Sequence, residues 1–198
     1  MARVFFSLPS SDGFLLAGGA ALLAQHLTHR STSDLDFFAS PAKGSVPDAR
    51  EAFERAATEH GWTTTRIHDA ESFCRIIVHG AEDLVVDLAL DASPQRQATV
   101  TVLGPSYDAE ELIGRKMVAL FDRAEARDFV DVYQLAQRDD RPTLLARAED
   151  IDPGFDTNIF AQMLGMLDRF TDAELPCASA DAPDIRTFFA DWRRELSS

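Results

Sequence analysis

The stretch FLLAGGAALLAQHLTHRSTSDLDFF, from Phe14 to Phe38, limits what this chain can fold into more than any other part of it. An apolar run, Phe14-Leu15-Leu16-Ala17, stops at Gly18-Gly19. An Ala/Leu-rich segment then runs to His29, and Asp34-Leu35-Asp36 opens a second short apolar run. The pattern predicts strand, glycine turn, helix, strand. Two glycines let the backbone turn sharply and come close to a bound group, and a helix beginning there points free N–H groups over the turn. That is the outline of a phosphate site. On the second strand side chains alternate, so Asp34 and Asp36 share one face while Leu35 and Phe37 share the other.

Two adjacent carboxylates raise each other's pKa unless a cation or protons compensate them. Hard oxygens suit Mg²⁺ or Mn²⁺, and a metal held by a few carboxylates keeps positions open for triphosphate oxygens. The same residues also read as a solvated pair beside a plain turn. Their order, with a helix between them, favours a nucleotide-handling site.

Elsewhere the pattern is informative in places. Arg3 to Leu8 reads as a short strand or a packed N-terminal arm. Pro47 fits the first turn of a helix running to about His60, with Ala49, Phe53, Ala56 and Ala57 as its apolar face. Trp62 to Ile67 and Phe73 to Val78 read as strands. In DLVVDLALD, Asp83 to Asp91, the core takes Leu84, Val86, Leu88 and Leu90. Asp87 falls in the middle of the other face, poorly solvated unless it meets a metal or a basic group, or else it is an exposed carboxylate on a half-buried sheet. Asp83 and Asp91 sit near the strand ends, where solvent or a cap serves them. Ala98 to Leu103 reads as a last strand closed by Gly104-Pro105.

Beyond it the periodicity is helical. Asp108 and Glu111 have capping-box spacing, and Leu112, Ile113, Met117, Leu120 and Phe121 form an inner face. Lys116 lies beside Ile113 and Leu120, where it either snorkels or seeks an anion. Lys116→Met is accordingly expected to leave stability nearly unchanged. In the next helix Asp128 and Asp131 share a face, and Arg127 can reach Asp131. Further helices are expected over 143–148, 155–170 and 185–196, the second with a stripe of Phe155, Ile159, Met163, Met166, Leu167 and Phe170.

With 198 residues, 45% of them hydrophobic and 26% charged, the chain has room for one sizeable core or for a catalytic domain plus a helical one. No apolar run reaches membrane-spanning length, and Pro9 and Asp12 follow Met1-Ala2-Arg3 too soon for a signal-peptide core to be expected. Cys74 and Cys177 fit no CxxC pattern, which favours thiols and a cytoplasmic protein. The net charge of -14 argues against broad non-specific nucleic-acid binding.

Gly18-Gly19-Ala20-Ala21-Leu22 followed by Arg30-Ser31-Thr32-Ser33-Asp34-Leu35-Asp36-Phe37-Phe38 resembles the opening motif of the AbiEii/AbiGii toxin family of nucleotidyltransferases, with Ala20 where that family usually has Thr. Glu111-Leu112, Lys116, Ala119-Leu120, Arg123, Arg127-Asp128 and Asp131-Val132 resemble its second signature, with Val132 in place of Leu. The resemblance spans Phe14 to about Gln137. It implies an α/β fold: a polymerase-β-like nucleotidyltransferase core, a mixed sheet with flanking helices, over about residues 1–104. A C-terminal helical region over 105–198 would follow.

The resemblance further implies a metal-dependent nucleotidyltransferase that moves a nucleoside monophosphate from an NTP to an acceptor hydroxyl. Asp34, Asp36 and Asp87 would carry Mg²⁺ or Mn²⁺, and with Lys116 they would form the catalytic set. Gly18, Gly19, Arg30, Thr32, Ser33, Lys116, Arg123, Asp128 and Asp131 would bind the nucleotide, with Asp128 and Asp131 orienting Lys116, Arg123 or the base. The role implied is the toxin of a toxin–antitoxin or phage-defence pair, with a cognate antitoxin and the acceptor end of a tRNA as partners and no membrane. Two other readings are an enzyme of the same fold acting on a small hydroxyl compound such as an aminoglycoside, and a nucleotide-binding regulator without turnover.

Overall fold

Alternating apolar residues build a seven-stranded mixed sheet, in the order β3-β4-β5-β2-β1-β7-β6. The strands are β1 Phe14–Ala17, β2 Asp34–Ala39, β3 Thr63–Asp69, β4 Phe73–His79, β5 Asp83–Leu90, β6 Thr99–Val100 and β7 Pro105–Ser106. The computed structural model describes residues 1–197. Residues 1–26 with 31–109 make one unit, and residues 27–30 with those from 110 onward make a second.

In the first unit β2 runs antiparallel to β1 and parallel to β5, and β4 runs antiparallel to both β3 and β5. Registered partners share a face of a sheet, so Cys74, Leu88 and Phe37 form one row across β4, β5 and β2, and Ile76, Val86 and Leu35 form the next. All six are buried. Helix α3, Val46–Glu59, begins at Ser45, whose hydroxyl accepts the amide of Asp48, and buries Ala49, Phe53, Ala56 and Ala57, the expected face.

The N-terminal arm is packed as expected but is not a strand. It forms helix α1, Ala2–Phe6, because Phe5 is needed in the core. The Phe5 ring stacks on Phe37 at 4.1 Å and meets Phe14 and Phe53 edge-on at 5.6 and 5.7 Å. Two other expectations change. Helix α2 spans only Gly18–Ala24, since His26 has φ 56° and the next residues leave the unit. Gly104-Pro105 does not close the last strand: Pro105–Ser106 is itself β7, between β1 and β6. At Gly104, φ 141° allows the reversal, and a Cβ there would lie 2.2 Å from the Phe6 ring.

The second unit is helical: α4 Ala109–Asp122, α5 Ala126–Leu135, α6 Arg141–Ile151, α7 Thr157–Leu164 and α8 Ala182–Leu196. Its core takes Leu112, Met117 and Leu120 from α4, Phe129 and Val132 from α5, Phe160 from α7, and Phe189 and Trp192 from α8. The expected stripe over 155–170 is corrected in part. Asp156 caps α7 by accepting the amides of Asn158 and Ile159, and the helix phase it sets buries Phe160 and leaves Ile159 exposed. Past Leu164 the chain tightens into a 3-10 turn over Gly165–Arg169.

Phe5→Ala removes a fully buried ring that meets four others, those of Phe6, Phe14, Phe37 and Phe53, and leaves a cavity. It should lower unfolding free energy by about 3–5 kcal/mol, read from the shift in urea midpoint at unchanged m-value.

Candidate active site

On the face of the sheet opposite Phe37, Leu88 and Cys74 lie Asp34 and Asp36 of β2, Asp87 of β5 and Arg75 of β4. Asp36 pairs in register with Asp87, and Asp87 with Arg75, so the three form one row across neighbouring strands. Asp34, two residues from Asp36, stands on the same face, opposite Val85. Adjacent strands are about 4.8 Å apart, and the β2–β5 register therefore puts Asp87 beside Asp36. The neighbouring carboxylates of β5 lie elsewhere: Asp83 is exposed and meets His79 at 2.9 Å, and Asp91 follows the strand and accepts the amide of Ala92.

The glycine turn lies against this row. Gly18 has φ 60°, and a Cβ there would come within 1.8 Å of Asp36 Oδ2. No side chain fits, so the backbone approaches the carboxylate directly. Before β2, the Thr32 hydroxyl accepts the amide of Asp34 at 3.2 Å, and the Ser33 carbonyl accepts the amide of Val85 at 3.0 Å. Thr32 thus shapes the start of the strand that carries the aspartate pair.

Asp87 is held by a guanidinium. Arg75 Nε donates to Oδ1 at 2.8 Å and Nη2 to Oδ2 at 2.6 Å. The hydrogen bond to Asp87, then the charges of Asp87, Asp34 and Asp36, raise the Arg75 pKa further above its already high ordinary value. Arg75 therefore feels all three carboxylates. Among the described residues no three His, Cys, Asp or Glu groups converge as a ready-made metal cluster. The expected trio of Asp34, Asp36 and Asp87 shares a face, but its third member is held by Arg75 through two charge-assisted hydrogen bonds, which are stronger than bonds between neutral groups. In donor chemistry the trio fits a divalent ion: hard oxygens only, from two adjacent strands, with a glycine backbone against one of them.

The second unit contains another charge cluster. Lys116 of α4 places Nζ 3.1 Å from Asp128 Oδ1 and 3.0 Å from Asp131 Oδ2 of α5. Arg123 reaches Asp128 at 2.9 and 3.1 Å, and Arg30 reaches Asp131 at 2.9 and 3.1 Å. Both aspartates are fully buried. Three cations thus enclose two carboxylates: Asp128 pairs with Lys116 and Arg123, and Asp131 with Lys116 and Arg30. Arg30 sits in the opening motif, yet its segment belongs to this unit, where the amide of His29 also donates to Gln134 at 2.7 Å. The expected Arg127–Asp131 pair is replaced: Asp131 is taken by Arg30 and Lys116, and Arg127 pairs with Glu125 at 2.8 Å.

The partner of Asp87 is not legible in the sequence. Arg75 does carry a signal, a cation in the middle of FCRIIVH on the alternation opposite Cys74 and Ile76, but only the β4–β5 register sets it against Asp87.

Burial pushes the Asp128 carboxyl up, but hydrogen bonds and charge from Arg123 and Lys116 outweigh it and hold the group below its ordinary value. A depressed carboxyl contributes stability in full above its unfolded value, near pH 4, and loses it as pH falls through the folded value. Asp128→Asn should therefore be less stable at pH 7 yet show a shallower stability loss below about pH 4, read from urea midpoints at stepped pH. Lys116→Met strips a charge from between two buried carboxylates. The earlier expectation of nearly unchanged stability is replaced by a loss of about 3 kcal/mol, measured the same way.

Residues 1–191 match the family described as nucleotidyl transferase AbiEii toxin, type IV toxin–antitoxin system. No curated protein sequence matches the chain. Among solved structures, a protein from H. pylori described as a nucleotidyltransferase aligns with TM-score 0.60 at 18% identity, over 98% of this chain and 92% of that one. JHP933 from Helicobacter pylori aligns with TM-score 0.56 at 18% identity, over 98% and 90% of the two chains. The nucleotidyltransferase toxin MenT4 (Rv2826c) from Mycobacterium tuberculosis H37Rv aligns with TM-score 0.55 at 14% identity, over 99% and 88%. These likenesses establish the fold, the mixed sheet with its C-terminal helices. The family match over nearly the whole length establishes more: this chain belongs to the AbiEii toxin family and is a nucleotidyltransferase.

Proposed function

We propose that the chain transfers a nucleoside monophosphate from an NTP to an acceptor hydroxyl with a divalent metal at Asp34, Asp36 and Asp87, and that the acceptor lies at the acceptor end of tRNA. The observation that carries the site assignment is the β2–β5 register. It sets Asp36 beside Asp87, with Asp34 on the same face, in a chain of nucleotidyltransferase family.

A bound Mg²⁺ or Mn²⁺ would supply charge neutralisation at the phosphates and orient them for displacement. The residues do the rest. Asp34 and Asp36 offer hard oxygens from one strand face. Gly18 has no room for a side chain against Asp36, and the amides of Gly18 and Gly19 would hold phosphate oxygens. Asp87 accepts the proton of the acceptor hydroxyl as that oxygen bonds to the α-phosphorus. The bond from the α-phosphorus to the bridging oxygen breaks, and pyrophosphate leaves with the electron pair. Lys116, with Arg30, Arg123, Asp128 and Asp131, is assigned to nucleotide binding on the motif resemblance, as are Thr32 and Ser33.

The toxin role goes with the family, and a cognate antitoxin is the partner such a system supplies. Among the described residues no helix is long and apolar enough to cross a membrane. Cys74 and Cys177 are both free thiols. Both fit work in the cytoplasm, where NTPs and tRNA are at hand.

The test is transfer of label from α-³²P NTPs to total RNA, with small hydroxyl compounds as competing acceptors. Wild type should label a tRNA-sized band at the 3′ end, and Asp36→Asn should lose at least about a hundred-fold of that rate. Equal labelling by the variant overturns the carboxylate assignment, and label passing only to small acceptors overturns the tRNA assignment.

A further inference from the structure

The row Arg75–Asp87–Asp36 has a consequence for how the site is filled. Each neighbour pair is fixed by backbone register, so Arg75 cannot drift away from Asp87 without breaking the β4–β5 ladder or changing its rotamer. The Arg75 side chain is 45% exposed while that of Asp87 is 11% exposed, so the guanidinium covers the carboxylate and stays within reach of an incoming anion. Its carbon lies 5.8 Å from the centre of the Phe73 ring, two residues back on the same face, which supports the planar group over the site. Both Asp87 oxygens are occupied by the fork. A divalent ion that binds Asp87 must compete for those oxygens and must approach against the charge of Arg75, which also acts on Asp34 and Asp36.

We propose that Arg75 is a built-in counter-ion that makes metal binding depend on the nucleotide: it holds Asp87 until a triphosphate arrives, then passes its guanidinium to a phosphate and releases Asp87. The inference rests on the carboxylates being the metal site, as proposed above. The chemistry of the exchange is balanced. One cation leaves a carboxylate for a phosphate, a comparably strong bidentate acceptor, and the divalent ion that accompanies the triphosphate takes one of the two vacated oxygens, leaving the other to accept the proton. The protein thereby discourages a bare metal ion from occupying the site, and the acceptor of the proton is exposed only when a nucleotide is present. Arg75 is a positioning residue with respect to Asp87 and a substrate contact after the exchange.

Mn²⁺ binding, followed by the EPR signal of the free ion and read against the same triphosphate without protein, tests this without reference to turnover. In wild type, Mn²⁺ should bind weakly alone and much more tightly with a non-hydrolysable triphosphate. Arg75→Gln should bind Mn²⁺ alone about ten-fold more tightly, the worth of one charge-assisted contact, while its affinity for the triphosphate falls. Adding Asp36→Asn to Arg75→Gln should abolish the gain. Arg75→Lys, which keeps a charge but gives up one arm of the fork, should gain about two- to three-fold and keeps the test decisive should the Gln variant fail to fold.

Unchanged Mn²⁺ affinity in both Arg75 variants, with wild type still taking up Mn²⁺ beside the triphosphate, overturns the counter-ion inference and leaves the transfer reading standing. A gain that survives Asp36→Asn overturns it too, since the ion would then sit elsewhere. Absence of Mn²⁺ binding by every protein, with or without triphosphate, overturns both.

Discussion

Three carboxylates on one face of a sheet repel one another, and the first unit is arranged around that repulsion. The opposite face of the same strands carries Phe37, Leu88, Val86 and Ile76, buried beneath α3 and the Phe5 ring. A strand cannot rotate to relieve its acidic face without pulling its apolar face out of the core. Asp34, Asp36 and Asp87 are thus held together by hydrophobic packing on the far side of the backbone. Arg75 answers the repulsion at one end of the row, and Gly18 lets the backbone close over the other.

The second unit handles charge by a different route. Asp128 and Asp131 are fully enclosed, where an unpaired carboxylate is costly, and each is met by two cations. Such a cluster is weak evidence of stabilisation relative to an apolar core of equal volume, because desolvation offsets much of the Coulomb attraction. It does fix which helix faces meet: α4 supplies Lys116, α5 both aspartates, and the short segment Leu27–Arg30 supplies Arg30. The two clusters differ in what a ligand could do to them. Arg75 is about half exposed, whereas Lys116 is nearly enclosed by its partners.

Membership of a nucleotidyltransferase family and a sheet with this carboxylate row converge from separate observations. The first concerns nearly the whole sequence, and the second a pairing between strands some fifty residues apart in the chain. An acidic protein of net charge -14 also has little long-range attraction for RNA. If the acceptor is a polyanion, as proposed, its recognition would rest on local groups such as the guanidinium over Asp87, a short-range interaction largely insensitive to the overall field.

Local rules of the chain determined a good deal. Period-two alternation set Asp34 and Asp36 against Leu35 and Phe37, and Asp87 against Val86 and Leu88, because successive side chains on a strand must oppose one another. The helical period of α3 and α4 likewise marked Ala49, Phe53, Leu112 and Met117 as core, and all four are buried. Where a local signal was ambiguous the tertiary structure decided. The N-terminal run became helix because Phe5 had other rings to meet, and Ile159 yielded the core to Phe160 because the cap at Asp156 set the helix phase. Partner choice was beyond the sequence throughout. Arg75 meets Asp87, and Arg30 leaves the motif in which it stands for Asp131, through strand register and chain path. Those depend on the free energy of the whole packed core, while alternation depends only on the geometry of one residue and the next.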